Sequence, residues 1–322
     1  MMDSTAQSKK VSIVAPVYNE AETLEEFYKR LKKALAGHAH EIIFVNDGSA
    51  DGSWNIIKKL AQRDDTLRSL NFSRNFGHQA AICAGLDYAD GNAVVIIDSD
   101  LQDPPEVIPE MIKKWQEGFD VVYGTRSDRQ GEGLFKKLTA SLFYRLFRQT
   151  TNMNAPLEAG DFRLLSQPVV QVVRHLPERV RFLRGLVSWA GFRQTGITYS
   201  REKRFAGTSK YPLWKMMRFA FDGITSFSRV PLQVASFLGL LVTVIAFMVG
   251  LYSLYIRLFT NTAVQGWTSI LIVIIFLGGI QLVMIGVIGE YIGRIYEEVK
   301  RRPLYLIQEK IGFEIQKKVP SS

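Results

Sequence analysis

Val11-Ser12-Ile13-Val14-Ala15-Pro16-Val17-Tyr18-Asn19-Glu20 decides the fold class. Its first five residues form a β-branched run that predicts a strand, and residues 16–20 make the loop that follows. A helix-like stretch at 21–35 comes next, and the alternation then repeats. Strands are expected at 42–45, 67–72, 94–97 and 121–123, with helices at 53–61, 79–89 and 105–116. Such βαβ alternation implies a mainly parallel sheet with helices on both faces. Sheets of this kind bind ligands at the carboxyl ends of their strands.

The polar residues fall at those ends. Asn46-Asp47-Gly48-Ser49 follows the second strand, and Asp98-Ser99-Asp100-Leu101-Gln102-Asp103 follows the fourth. Asp-Gly-Ser by itself also reads as a turn and helix-cap signal. Asp98 and Asp100, with Gln102 nearby, offer hard oxygen ligands of the kind that Mg²⁺ or Mn²⁺ takes, often with substrate phosphates completing the shell. A solvated acidic turn is the plainer reading, but it does not explain carboxylates at several strand ends. No Gly-x-Gly-x-x-Gly follows the first strand and no Walker-A lysine motif occurs, which argues against a dehydrogenase or P-loop ATPase. No His-x-x-x-His or cysteine cluster suggests zinc.

The chain of 322 residues carries a formal net charge of +9. A basic balance suits nucleic acid, an anionic membrane surface or a phosphate-bearing substrate. Here much of the excess lies beside apolar segments and in the last third of the chain, which favours membrane and phosphate, and no nucleic-acid motif is found. The one cysteine, Cys83, allows no intrachain disulfide and sits in an apolar helical run, where packing accounts for it. Residues 1–10 lack an apolar stretch, so no signal peptide is expected and this end should be disordered.

No Asp, Glu, Lys or Arg occurs in 230–256, and a second uncharged run covers 258–289. Each is long enough to cross a bilayer core of about 30 Å. The expected architecture is an α/β domain at 11–211 and an amphipathic interfacial helix at 212–228. A hairpin of two transmembrane helices follows, about 230–257 and 267–290, and then a C-terminal tail at 294–322. Arg218 and Arg229 precede the first span and Arg294, Lys300, Arg301 and Arg302 follow the second, so both long ends should be cytoplasmic. Gly289 and Gly293 form a small-xxx-small pair that suits hairpin packing and self-association equally. Glu290 and Arg294, one turn apart, read as an interfacial ion pair.

The three strand-end motifs together resemble the family 2 glycosyltransferases of GT-A fold. Ser73-Arg74-Asn75-Phe76-Gly77, Gly160-Asp161-Phe162-Arg163-Leu164, Leu176-Pro177-Glu178-Arg179, Arg204-Phe205-Ala206-Gly207-Thr208-Ser209-Lys210 and Gly286-Val287-Ile288-Gly289-Glu290-Tyr291-Ile292-Gly293-Arg294 narrow the resemblance to the polyprenyl-phosphate glycosyltransferases, in particular the bactoprenol glucosyltransferase type. The resemblance implies that Pro16, Tyr18, Glu20 and Asp47 hold the uridine of a UDP-sugar. It further implies that Asp98, Asp100 and Gln102 hold a divalent metal, Mg²⁺ or Mn²⁺, on the diphosphate, and that Arg126, Arg204, Ser209 and Lys210 meet donor or acceptor phosphates. Asp100, Arg126 and Asp161 are the catalytic candidates. Asp161 lies where related inverting enzymes place an acid near the reacting sugar; an ion pair with a neighbouring arginine is the structural alternative. The implied partners are a UDP-sugar, a polyprenyl phosphate acceptor, the bilayer, and further copies of the chain.

Position 78 is His where close relatives often carry Lys, which leaves the donor less certain, and no Gln-x-x-Arg-Trp motif of processive synthases is present. One hexose per turnover, glucose from UDP-glucose first, is therefore the expected reaction. Alternatives are another donor (an aminoarabinose derivative, GDP-mannose or UDP-N-acetylglucosamine), a polysaccharide synthase, or a non-catalytic membrane adaptor or flippase component. The basic loop 201–210, with Gly207-Thr208-Ser209 at its centre, is expected to close over the phosphates.

Overall fold

The computed structural model describes residues 9–126, 159–178, 183–200, 230–259 and 266–313. These fall into two compact units: one holds the sheet and includes residues 302–313, and the other holds two long helices. The expected interfacial helix at 212–228 and the basic loop at 201–210 lie outside the described residues.

Eight strands form one sheet in the order β7-β5-β6-β4-β1-β2-β3-β8. β1 (Val11–Val17), β2 (His40–Asn46), β3 (Leu67–Phe72) and β4 (Ala93–Ile96) run parallel, with β1 between β2 and β4. β6 (Ala159–Ser166) is antiparallel to both β4 and β5 (Val121–Arg126), and β7 (Gln194–Tyr199) runs parallel to β5. This is the mixed, mainly parallel GT-A sheet that the sequence implies.

Both faces are covered, which is why the parallel strands are apolar on successive residues rather than alternating. Ile13, Ala15 and Val17 of β1 join Leu24, Phe27 and Leu31 of α1 (Leu24–Ala34), Ile57 of α2 (Ser53–Ala61) and Met111 of α4 (Ile108–Gln116) in one core. Val14 points to the other face, with Ile43 and Val45 of β2, residues 81–84 of α3 (His78–Tyr88) and Val169 and Val173 of α5 (Gln167–His175). Val187 of α6 (Leu183–Trp189) completes that second core, where Cys83 is buried as packing requires.

The domain differs from the sequence reading at several points, and β6 and β7 are strands that it did not expect. α1 begins at Leu24 because residues 21–23 are used in a turn, in which the Thr23 hydroxyl donates to the Glu20 carboxylate at 2.8 Å. Pro105–Val107 is a 3-10 turn ahead of α4. The stretch expected as a tail re-enters the sheet: β8 (Ile307–Ile311) pairs antiparallel with β3.

In the second unit, α7 (Val230–Phe259) and α8 (Trp267–Val299) have 30 and 33 residues, or about 45 and 50 Å at helical rise. Their segments Leu232–Tyr252 and Phe276–Val299 have mean hydropathy 2.5 and 1.6 and are long and apolar enough to cross a membrane. Large side chains such as Phe237, Phe247 and Leu282 point outward along them. The hydroxyls of Ser236 and Thr243 donate to carbonyls four residues back, at 2.9 and 2.8 Å, which satisfies them without water. Arg294 meets Glu290 at 3.0 Å, as the one-turn spacing predicts, while Gly289 and Gly293 face open space among the described residues.

Candidate active site

Three strand ends converge on one crevice of about 480 Å³, within the range of small-molecule sites. It is lined by Pro16, Val17, Tyr18 and Glu20 after β1, Asp47 after β2, Asn75, Gly77 and His78 before and at the start of α3, and Asp98, Ser99 and Asp100 after β4.

The first two loops are laced together. The backbone N–H of Asn19 donates to Ser49 Oγ at 3.0 Å, and the N–H of Ala50 donates to Asn19 Oδ1 at 2.8 Å. Asn19 needs a left-handed backbone, φ 55°, to make this exchange. The N–H of Glu20 donates to Ser53 Oγ at 3.0 Å, which ties the β1 loop to the first turn of α2. Asp47 is buried and accepts from the backbone N–H groups of Phe76 (2.7 Å) and Gly77 (3.0 Å). Burial pushes its carboxyl pKa up, and those two donors offset only part of the rise.

Ser99 Oγ donates to the Pro16 carbonyl at 2.8 Å and so fixes the β4 loop to the end of β1. The two carboxylates on either side, Asp98 and Asp100, both line the crevice. Asp98 Oδ1 is buried and makes no hydrogen bond; His78 Nε2 lies 3.4 Å from it. Burial, reinforced by the charges of Asp161, Asp103 and Asp100, raises the Asp98 pKa to about 6 against the pull of His78.

Leu101 then adopts a left-handed φ of 61° although its side chain is buried, a strained conformation of the sort held at functional sites. That turn carries the chain away from the rim. Gln102, expected as a third metal ligand, is buried, donates its backbone N–H to Asp100 Oδ1 at 3.1 Å and does not line the crevice. Of the three metal-ligating candidates, Asp98 and Asp100 line the crevice. No group of three or more His, Cys, Asp and Glu side chains among the described residues is arranged to hold a metal without help from a substrate.

Asp161, on β6, makes the arginine ion pair given above as its structural alternative, with a partner that the sequence did not identify. Arg184 of α6 grips it bidentately at 2.8 and 3.0 Å, and His78 Nε2 lies 3.5 Å away. Burial raises the Asp161 pKa, but the His78 and Arg184 hydrogen bonds more than reverse it and hold the carboxyl well below the usual range. His78 thus bridges Asp98 and Asp161. Burial lowers its own pKa, and the two carboxylates outweigh that and raise it. Arg163 is buried and donates to the Gly160 carbonyl at 2.8 Å. The side chain of Arg126, at the end of β5, and all of Arg204, Ser209 and Lys210 lie outside the described residues.

Six of the residues assigned from the sequence, Pro16, Tyr18, Glu20, Asp47, Asp98 and Asp100, meet in the crevice. His78 stood out in the sequence only as a departure from relatives. Arg184 left no signal of its own, since it is separated from Asp161 by 23 positions and belongs to none of the quoted motifs.

Residues 12–174 match the model of glycosyl transferase family 2. The chain is 50% identical over 94% of its length to the uncharacterized glycosyltransferase YkcC of Bacillus subtilis, covering 94% of that protein. It is 47% identical over 93% of its length to the SfII prophage-derived bactoprenol glucosyl transferase of Shigella flexneri, covering 98% of it. A solved mycobacterial protein, 20% identical, shares the fold over 69% of this chain and 76% of its own, with a TM-score of 0.50. The sheet, the strand-end carboxylates and near full-length identity to named glycosyltransferases agree: the chain belongs to glycosyl transferase family 2.

Proposed function

We propose that the protein transfers one hexose, glucose from UDP-glucose, to undecaprenyl phosphate at the cytoplasmic face of a membrane. The observation that carries this reading is the pairing of Asp98 and Asp100 in the crevice of a chain that continues into two membrane-length helices. The bactoprenol glucosyl transferase relative of Shigella flexneri supports the lipid acceptor.

The crevice fits a divalent cation: Asp98 and Asp100 line it two positions apart on the β4 loop, and one oxygen of Asp98 is buried without a hydrogen bond. A bound Mg²⁺ or Mn²⁺ would neutralise charge on the departing diphosphate. Pro16, Tyr18, Glu20 and Asp47 line the same crevice, which supports their holding the uridine. The acceptor is a phosphate monoester whose second pKa is about 6, so it is largely dianionic at neutral pH and needs no strong base. Its oxygen forms the new bond to the anomeric carbon while the bond from that carbon to the diphosphate breaks, and UDP leaves with the electron pair. Attack opposite the leaving group inverts the centre, so an α-linked donor gives a β-linked product. Asp161, held ionised by Arg184, is a poor proton acceptor and serves to orient the sugar or the His78 ring.

Radiolabelled sugar transfer from UDP-glucose to undecaprenyl phosphate, with and without Mg²⁺, tests the proposal. Metal-dependent lipid-linked β-glucoside is expected. Product only from another nucleotide sugar would move the donor, and none from any donor would favour an adaptor role.

Cation binding should also depend on pH. With its pKa at about 6, Asp98 is mostly ionised at pH 7 and mostly protonated at pH 5. Protons compete with the metal for the same oxygens, so Mn²⁺ affinity should fall about tenfold over that interval. Mn²⁺ titration followed by electron paramagnetic resonance, without UDP, reads this directly. A flat profile would show that no proton on Asp98 competes with the metal over this interval.

A further inference from the structure

The segment after α8 is packed against the elements that carry the crevice. Tyr305 stacks on Phe72 at the end of β3, with ring centroids 5.1 Å apart and planes 10° from parallel. Phe72 meets Phe76 edge-on at 5.6 Å, and Phe76 lies in the loop whose backbone N–H groups hold Asp47. The Tyr305 hydroxyl donates to Asp87 Oδ2 at 2.9 Å on α3, the helix that begins with His78. Burial and the Asp87 carboxylate push the Tyr305 pKa up, so the hydroxyl remains a donor at physiological pH.

The backbone adds to this. Ser73 N–H donates to the Leu306 carbonyl at 3.0 Å, where the 73–77 loop leaves β3. In β8, Glu309 pairs in register with Asn71, whose side chain accepts from Asn46 Nδ2 at 2.7 Å, one residue before Asp47. Glu309 is itself anchored to α2 by Trp54 Nε1 at 3.1 Å and Lys58 Nζ at 3.3 Å. The C-terminal segment therefore supports the 73–77 loop by an aromatic stack and by a backbone hydrogen bond, and supports Asn46 through β3.

We infer that Tyr305 is a positioning residue for the donor site, acting through Phe72 and Phe76 to fix the loop that holds Asp47 and presents Asn75, Gly77 and His78. The inference rests on the crevice being the nucleotide-sugar site. It makes donor affinity depend on residues that follow the second apolar helix in the chain, outside the segment 12–174 that matches the family.

The test uses the full chain in detergent and UDP with Mn²⁺ as the probe. Tyr305→Leu keeps an apolar side chain and removes the stack; it is expected to weaken UDP binding about tenfold in calorimetry. In turnover it should raise KM for the sugar nucleotide by a similar factor and leave kcat within about threefold, a split that general loss of folded protein would not produce. Tyr305→Phe, which keeps the stack, should bind UDP within about twofold of the unmodified chain. Hydrogen exchange on the unmodified chain supplies a second measurement that needs no variant: UDP should protect amides in 305–311 together with those in 73–77. Unchanged UDP affinity in Tyr305→Leu, or protection of 73–77 without 305–311, overturns the inference. Failure of the unmodified chain to bind UDP at all would instead overturn the nucleotide-sugar reading beneath it.

Discussion

Asp100→Ala should lower sugar transfer at least about 1,000-fold while the protein stays folded. Asp98 and Asp100 are the two carboxylates of the β4 loop that line the crevice, and no group of three or more acidic, histidine or cysteine side chains among the described residues is placed to hold a metal. Removing one leaves a cation with a single protein ligand beside a diphosphate. Metal stabilisation of developing charge is worth several kcal/mol, and three decades of rate correspond to about 4 kcal/mol. The substitution also removes the hydrogen bond from Gln102 N–H to Asp100 Oδ1, worth about 1 kcal/mol, so thermal unfolding is measured beside the kinetics. Asp161→Asn should cost less activity, about 10- to 100-fold. Its carboxylate is already committed to Arg184 and approached by His78, and a carboxyl held far below its usual pKa is ill suited to accept a proton. The substitution leaves Arg184 without its bidentate partner, so thermal unfolding must accompany the kinetics. Equal loss in both variants, with melting unchanged, would assign Asp161 a part in the chemistry.

The contrast between these carboxylates marks how far the sequence could be read. β1 to β4 were legible because strands buried on both faces show as runs of apolar residues, and the carboxylates that follow them stand out against that background. Asp98 and Asp100 could be placed because they end such a strand. The burial of Gln102 away from the lining was not legible, since it follows a left-handed φ at Leu101, a residue type that rarely adopts one. β6 was quoted as a motif without being recognised as a strand: Asp161 and Arg163 interrupt its apolar pattern because each meets buried partners rather than solvent. β8 reads as tail in the sequence because Ile307–Ile311 carries Gln, Glu and Lys at its centre. Charge of that kind is what an edge strand tolerates and what a sequence pattern assigns to solvent. The ion pair Glu290–Arg294 was readable because it is local in the helix, whereas His78–Asp161–Arg184 depends on three elements brought together by the fold.

Gly48→Ala should weaken UDP binding about 100-fold and reduce kcat/KM by at least as much. Gly48 has φ +65°, and a Cβ there would lie 2.4 Å from the Arg74 carbonyl carbon and 2.6 Å from the Asn75 nitrogen. Those are backbone atoms with no rotamer to escape into, so the substitution must separate the turn after β2 from the 73–77 loop. Separation stretches the bonds from Phe76 and Gly77 N–H to Asp47 and withdraws Asn75 from the crevice. The left-handed conformation adds about 1 kcal/mol of strain for alanine, but strain alone does not reach the site. Gly37→Ala separates the two effects. Gly37 has φ +83° and nothing within 4 Å of a Cβ, so alanine there carries the strain without the collision. Both variants should lose some thermal stability, and only Gly48→Ala should lose UDP. If Gly48→Ala bound UDP as tightly as Gly37→Ala, the contact between the two loops would not be what shapes the donor site, and Asp47 would hold its place by burial alone.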